Sequence, residues 1–493
     1  MARMSRLLRS IRARGAVLGR WEWIAGLAGV AVAAGVSGCA APEPPPPAKP
    51  RNVVVILLDT LRADHLGAYG YHRPTSPYFD ELASRGVLFE HATSAAPATF
   101  PSVNSLFTSR LPDLFFDTSS EDLGIPEELT TMAEAYGAAG YQTAAVSASP
   151  VVRASPSFFN PAGGFGQGFE SFDESCGYSE RHVPSYTAPC VTDQAVATLD
   201  GLGEGPFFFY IHYLDPHDPY QPPEDGVIFH TPGEYQKIPS VAEGRTYPIT
   251  RSILGRSEEP IEVRPEDIQH LVDLYDGEIR AVDSELERLM TAFEERGLAE
   301  DTLFVFVSDH GESFLEHENV LQHGRSVYQS ELHVVLMFYW PKGLEPTRRR
   351  EPVCSVDVMP TLMELSGLEI PEGSQGVALL GLDDRPRRGR GSCVAAGRPD
   401  WRARQADLLA LRMGSDKVIY RRSADRWEMY DLNEDADELR DLLAGDTPPE
   451  RFATLRQTAD AWIQAIAAAD SDEGPIELDP EVEKALRALG YIQ

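Results

Sequence analysis

Val53-Val-Val-Ile-Leu-Leu-Asp59-Thr-Leu-Arg62-Ala-Asp64-His65-Leu-Gly67-Ala-Tyr69-Gly70 is the stretch that decides the fold. An unbroken apolar run without polar alternation suits a strand buried on both faces, and here an acidic residue follows it at once. The pattern recurs at Leu303–Ser308, which runs into Asp309 and His310. Further apolar runs lie at Thr143–Ser147, Phe207–Leu214 and Val334–Trp340, with helical patterns at Pro126–Ala139 and Pro265–Arg296. In the last of these, Leu271, Tyr275, Ile279, Val282, Leu286 and Leu289 return every three or four residues, opposite an acidic face. Strands alternating with helices predict a doubly wound, mostly parallel α/β sheet with helices on both faces. Chemistry in such sheets gathers at the carboxyl ends of the strands, where Asp59 and Asp309 stand.

Past residue 381 the pattern changes to short strands (Ser392–Ala396, Leu408–Arg412, Lys417–Tyr420, Trp427–Leu432), then helices near Pro449–Ala469 and Pro480–Leu489. This predicts a smaller C-terminal subdomain, 381–493, with an antiparallel sheet, after a main domain at 52–380. Residues 218–262, rich in Pro, Gly and Glu, are too long for an ordinary connection and suit a lid or specificity element. The 493 residues are 42% hydrophobic and 24% charged, which excludes a disordered or polytopic membrane chain. Forty-four basic against seventy-six acidic residues give a net charge of −32, which argues against nucleic acid as a partner.

Residues 1–38 carry a local +5, from Arg3, Arg6, Arg9, Arg12, Arg14 and Arg20 against one Glu. The apolar run Ile24–Val36 would cover about 20 Å as a helix, short of the roughly 30 Å of a bilayer core. It ends in Val36-Ser-Gly-Cys39, which resembles the bacterial lipobox, where the cysteine is acylated after cleavage. The expectation is a lipoprotein signal peptide over 1–38, lipidation at Cys39 and a Pro-rich tether over 39–51. That would make an exported bacterial cell-envelope lipoprotein, periplasmic or surface-facing, held on the membrane by its lipid anchor. A plain signal peptide or an uncleaved anchor would leave a similar pattern. Cys176, Cys190, Cys354 and Cys393 are even in number, as expected of two disulfides in an exported chain, Cys176 with Cys190 and Cys354 with Cys393; four buried thiols are the alternative.

The opening run resembles that of the sulfatase branch of the alkaline phosphatase superfamily. So do Ala98-Thr99-Phe-Pro-Ser102, His212-Tyr-Leu-Asp215-Pro-His217-Asp218-Pro-Tyr220, Val307-Ser-Asp309-His310-Gly-Glu312, Gln322-His323-Gly324 and Met429-Tyr-Asp-Leu432, in order over about 52–435. The resemblance implies an alkaline-phosphatase-like fold and one divalent metal ion (Mn, Zn or Ca) held by Asp59, Thr99, Asp309 and His310. Thr99 would be the nucleophile, with His217 and His323 serving the ester's leaving group. Arg62, Asp218 and Arg325 are further candidates for substrate contact, and Asp64, His65 and His323 for a second ion. His212, inside a strand, reads as packing. His333 stands where relatives commonly carry Arg.

The chain departs from the sulfatases proper, whose Cys-x-Pro-x-Arg (or Ser at the first position) is oxidised to formylglycine. Here the run is Thr99-Phe-Pro-Ser-Val103. Oxidising a threonine hydroxyl gives a ketone, and Val103 has no cation. The expectation is therefore a threonine-nucleophile variant that hydrolyses a phosphate or sulfate ester of a small molecule, glycan or lipid. Two alternatives are an envelope phospho-headgroup transferase and a non-catalytic surface lipoprotein.

Overall fold

The run after Arg51 forms a strand, Asn52–Leu58, in which every residue is buried. The structure, a computed structural model, describes residues 49–112, 124–157, 160, 162–177, 186–223, 229–317, 320–382, 387, 389–397, 407–445 and 447–469. The expected signal segment, Cys39, most of the tether and the Pro480–Leu489 helix lie outside these residues.

Asn52–Leu58 lies between Phe207–Tyr213 and Thr302–Ser308, parallel to both. The eight-stranded sheet runs Thr347–Arg349, Val87–Phe89, Leu336–Tyr339, Thr302–Ser308, Asn52–Leu58, Phe207–Tyr213, Gln142–Ser147, Ser171–Asp173. Leu336–Tyr339 is antiparallel to both its neighbours, and the other pairings are parallel. Val54, Ile56 and Leu58 enter one hydrophobic core with Leu271, Tyr275 and Leu289 of the long helix Pro265–Glu295. Val53, Val55 and Leu57 enter the other, with Val103 and Met359 from helices on the opposite face. A strand so covered gains about 1.5–3 kcal/mol per large apolar side chain, and its run cannot alternate.

Two expected elements are corrected. The Val334–Trp340 run is divided: His333–Val334 pairs with Ala92–Thr93 in a three-stranded sheet, and only Leu336–Tyr339 joins the main one. The helix expected from Pro126 spans Met132–Ala138, because Thr131 and Glu134 close a capping box at its start.

The C-terminal strands Ser392–Gly397, Leu408–Met413, Asp416–Arg421 and Arg426–Asp431 form an antiparallel meander. Its Leu411, Val418 and Met429 share a core with Trp462 and with Cys354 and Val356. Disulfides join Cys176 to Cys190 and Cys354 to Cys393. The 218–262 segment contains two helices, Pro239–Ala242 and Thr246–Ile253. No helix among the described residues is long and apolar enough to cross a membrane.

Candidate active site

The strand register assembles the centre. Leu58 pairs with Ser308, so Asp59 and Asp309 leave the carboxyl edge of neighbouring strands side by side. The chain turns at once after Asp59, with Thr60 at φ 55°, costly for a β-branched residue. Tyr275 Oη donates to the Thr60 carbonyl (2.8 Å), and the Thr60 amide donates to Asp309 Oδ1 (3.2 Å). The turn is therefore tied to both the long helix and the second aspartate.

Asp59, Asp309 and His310 bring one ligand atom each within 4.8 Å of one another, the one such group among the described residues. Asp309 Oδ1 accepts from the amides of Thr60 and His310, whereas its buried Oδ2 has no hydrogen-bond partner. That oxygen lies 3.3 Å from His310 Nε2. His310 Nδ1 donates to the Gly311 carbonyl (2.9 Å), so Nε2 presents its lone pair to the cluster. Burial pushes the His310 imidazole down in pKa, and burial, then Asp309, pushes Asp59 up to about 7. Two buried carboxyl groups, an orphaned oxygen on one of them and a correctly tautomeric imidazole fit a divalent cation.

Thr99 is the first residue of the helix Thr99–Thr108 and is 8% exposed. Its Oγ1 donates to His310 Nε2 (3.1 Å) and lies 3.5 Å from Asp59 Oδ1. The structure thus brings together Asp59, Thr99, Asp309 and His310. His323 is adjacent: its ring centroid is 4.5 Å from that of His310 and 5.0 Å from that of His217. His217 Nδ1 donates to the Asp218 carbonyl (2.7 Å), and burial pushes His323 down to about 4.

Other candidates have different surroundings. The Arg62 guanidinium donates to Asp64, to Glu316 and to the Glu312 carbonyl (2.9 Å), a buried ion-pair network. His65 Nδ1 is 2.7 Å from Asp276, so Asp64 and His65 both stand outside the cluster. Asp218 Oδ1 accepts from the amide and hydroxyl of Thr246. His333 Nε2 donates to the Glu90 carbonyl. Arg325, half-buried, has no carboxylate partner among the described residues, and its buried Nε makes no hydrogen bond.

Two contributors carry no sequence signal of their role. His212 Nε2 donates to Asp59 Oδ2 (3.1 Å), and its Nδ1 accepts from Tyr210 (2.9 Å). Burial holds this imidazole near pKa 4, so it is neutral and fixes the Asp59 carboxylate. Glu312, wholly buried, lies 3.1 Å from His323 Nδ1.

The sulfatase family model matches residues 51–368. The chain belongs to the sulfatase family. That membership makes it a hydrolase acting on ester bonds. It is 25% identical over 360 residues to an ulvan-active sulfatase of Formosa agariphila, covering 69% of this chain and 66% of that one. An arylsulfatase of Clostridium perfringens is 22% identical over 466 residues, covering 82% and 93%. Among solved structures, a protein in complex with its substrate D-glucosamine-2-N,6-O-disulfate superposes with a TM-score of 0.69 at 19% identity, covering 87% of this chain and all of that one. The phosphonate monoester hydrolase of Agrobacterium radiobacter gives 0.65 at 19% identity, covering 88% and 100%.

Proposed function

We propose that this sulfatase-family member cleaves a sulfate or phosphate ester of a glycan or related small molecule, with Thr99 rather than formylglycine as nucleophile. The observation that carries the reading is the Thr99 hydroxyl, 3.1 Å from His310 and 3.5 Å from Asp59, at the mouth of the Asp59–Asp309–His310 cluster. One divalent ion held by those three residues would supply Lewis acidity and neutralise charge on the ester oxygens. An imidazole among its donors favours manganese or zinc over calcium. Thr99 Oγ forms the new bond to sulfur or phosphorus, and its proton passes to Asp59 Oδ1, 3.5 Å away, because the His310 Nε2 lone pair would be taken by the ion. The bond to the alcohol oxygen breaks in line, and that oxygen takes a proton from His217, with the neutral His323 ring beside it. Water then hydrolyses the sulfo- or phosphothreonine, releasing the inorganic anion and restoring the hydroxyl.

The relatives' names support sulfated sugars as the substrate class. The threonine favours a second reading, a phosphoester or phosphonate ester substrate, because this side chain cannot become an aldehyde. We place the protein in the bacterial envelope, anchored through Cys39 at the end of its Pro-rich tether. The test is turnover of p-nitrophenyl sulfate, p-nitrophenyl phosphate, a phosphodiester and a phosphonate monoester with Mn²⁺, Zn²⁺ or Ca²⁺. A rate no higher than that of Thr99→Ala on all four would refute hydrolysis through Thr99. Turnover only with an added alcohol acceptor would point to headgroup transfer instead.

A further inference from the structure

The arginines of this acidic chain are generally paired: Arg62, Arg73, Arg153, Arg288 and Arg348 each meet a carboxylate. Arg325 and Arg256 have no such partner among the described residues. Arg325 stands two residues beyond His323, with its Nε buried and unbonded. The 218–262 segment is brought to it by specific ties. Asp218 Oδ1 accepts from the Thr246 amide (2.7 Å) and hydroxyl (2.8 Å), and the Tyr220 amide donates to the Gly244 carbonyl (3.0 Å). The helix Thr246–Ile253 then packs on Leu321–Gln322, immediately before His323. Arg251 donates to the Arg256 carbonyl (2.8 Å) and lies 6.0 Å above the Tyr247 ring, holding both in place. Tyr247 is 56% exposed, one of three large apolar or aromatic side chains so exposed among the described residues. Tyr247 lies in that helix and Arg256 three residues beyond it, which brings both towards the Leu321–Arg325 stretch, and burial together with the charge of Arg256 pushes the Arg325 guanidinium down in pKa.

We propose that Arg325, Arg256 and Tyr247 form a subsite for a second anionic group on the substrate, carried on a sugar ring beyond the ester that is cleaved. Two guanidiniums without carboxylate partners on adjoining segments repel each other, and an anion held by both relieves that while accepting forked hydrogen bonds. The tyrosine offers the flat, amphipathic face a sugar ring can cover. The place borders the site, because Arg325 follows His323 by two residues and the helix Thr246–Ile253 packs on the strand just before it. Recognition of this second group is set by the chain's own 218–262 segment. The inference rests on the ester-hydrolase reading for the identity of its ligand.

The experiment measures binding by calorimetry with Mn²⁺ present, on full-length Thr99→Ala protein, which does not consume the probes. N-acetylglucosamine 6-O-sulfate is compared with glucosamine 2-N,6-O-disulfate, and the methyl ester of a 2-O-sulfated hexuronate with the free hexuronate. The second anion should tighten binding at least about tenfold on one scaffold, the size of a charge-assisted hydrogen bond. That gain should vanish with added Arg256→Ala or Arg325→Ala and persist in part with Arg256→Lys. Arg256 is exposed, so its variant decides the matter if Arg325→Ala does not fold. No gain on either scaffold, or the same gain in the Arg256→Ala protein, overturns the subsite. Turnover of the same compounds by unsubstituted protein separates the two readings. A binding gain without hydrolysis refutes the hydrolase and leaves the subsite, and hydrolysis without the gain does the reverse.

Discussion

Thr99 can serve as nucleophile because its oxygen, not its backbone, faces the cluster, so substitutions there separate chemistry from folding. Thr99→Ala should lower kcat/KM by at least about a thousandfold, as loss of a nucleophile does elsewhere, with Tm little changed. Thr99→Ser, which keeps Oγ, should restore most of the rate; equal rates for the two variants would remove Thr99 from the reaction. His212 offers a different test, because it acts through Asp59. His212→Asn should weaken metal binding about 10–100-fold, the usual cost of losing a residue that orients a ligand, in a titration monitored with a metal-sensitive dye. Unchanged affinity would reduce His212 to packing. Asp59 and Asp309 are legible in sequence because each ends an apolar run. The His212–Asp59 contact is not, because it depends on the register of strands more than 150 residues apart, in which Leu57 pairs with His212.

At the scale of elements, legibility follows the same rule. Both-face burial writes strands as unbroken apolar runs, so the four parallel core strands are readable, whereas Val334–Trp340 hides its division between two sheets because Val334 and Leu336–Tyr339 are alike buried. The helix over the site, Thr246–Ile253, is invisible as a helix because its Pro- and Gly-rich surroundings carry the signal of a loop; its place is set by Asp218 and Leu321–Gln322. The Cys354–Cys393 bridge ties Val353–Cys354 to the edge strand Ser392–Gly397 of the C-terminal sheet, across 39 residues. The chain-entropy model assigns such a loop about 4 kcal/mol. Replacing both cysteines with alanine should lower the unfolding free energy by that order in a denaturant titration, and should expose the C-terminal strands to hydrogen exchange ahead of the main sheet. Uniform exchange in both sheets would show that the meander does not depend on the bridge.

For the whole molecule the buried acids set the response to pH. Asp59 and Glu312 are raised to about 7 and Glu331 to about 8, each chiefly by burial. Where the unfolded chain has already lost these protons and the native one retains them, stability falls as pH rises. Below about 6.5 the buried His212, His323 and His333, held near 4, act in the opposite sense, because the unfolded state binds their protons first. The uncompensated window is therefore about 6.5 to 8. Chelated protein should lose Tm across it, and a flat or rising Tm would contradict the burial of these carboxyls. Charge governs the approach of substrate in the same way. At −32 the protein repels an anionic ester from a distance, while Arg325 and Arg256 act only near the mouth. Salt shortens the screening length from roughly 30 Å at 0.01 M to 8 Å at 0.15 M, which removes the distant repulsion and spares contacts within the site. With a saturating metal ion, kcat/KM for p-nitrophenyl sulfate should rise with sodium chloride over this range, kcat staying constant. A steady fall would mean that the local arginines, not the global charge, dominate the encounter.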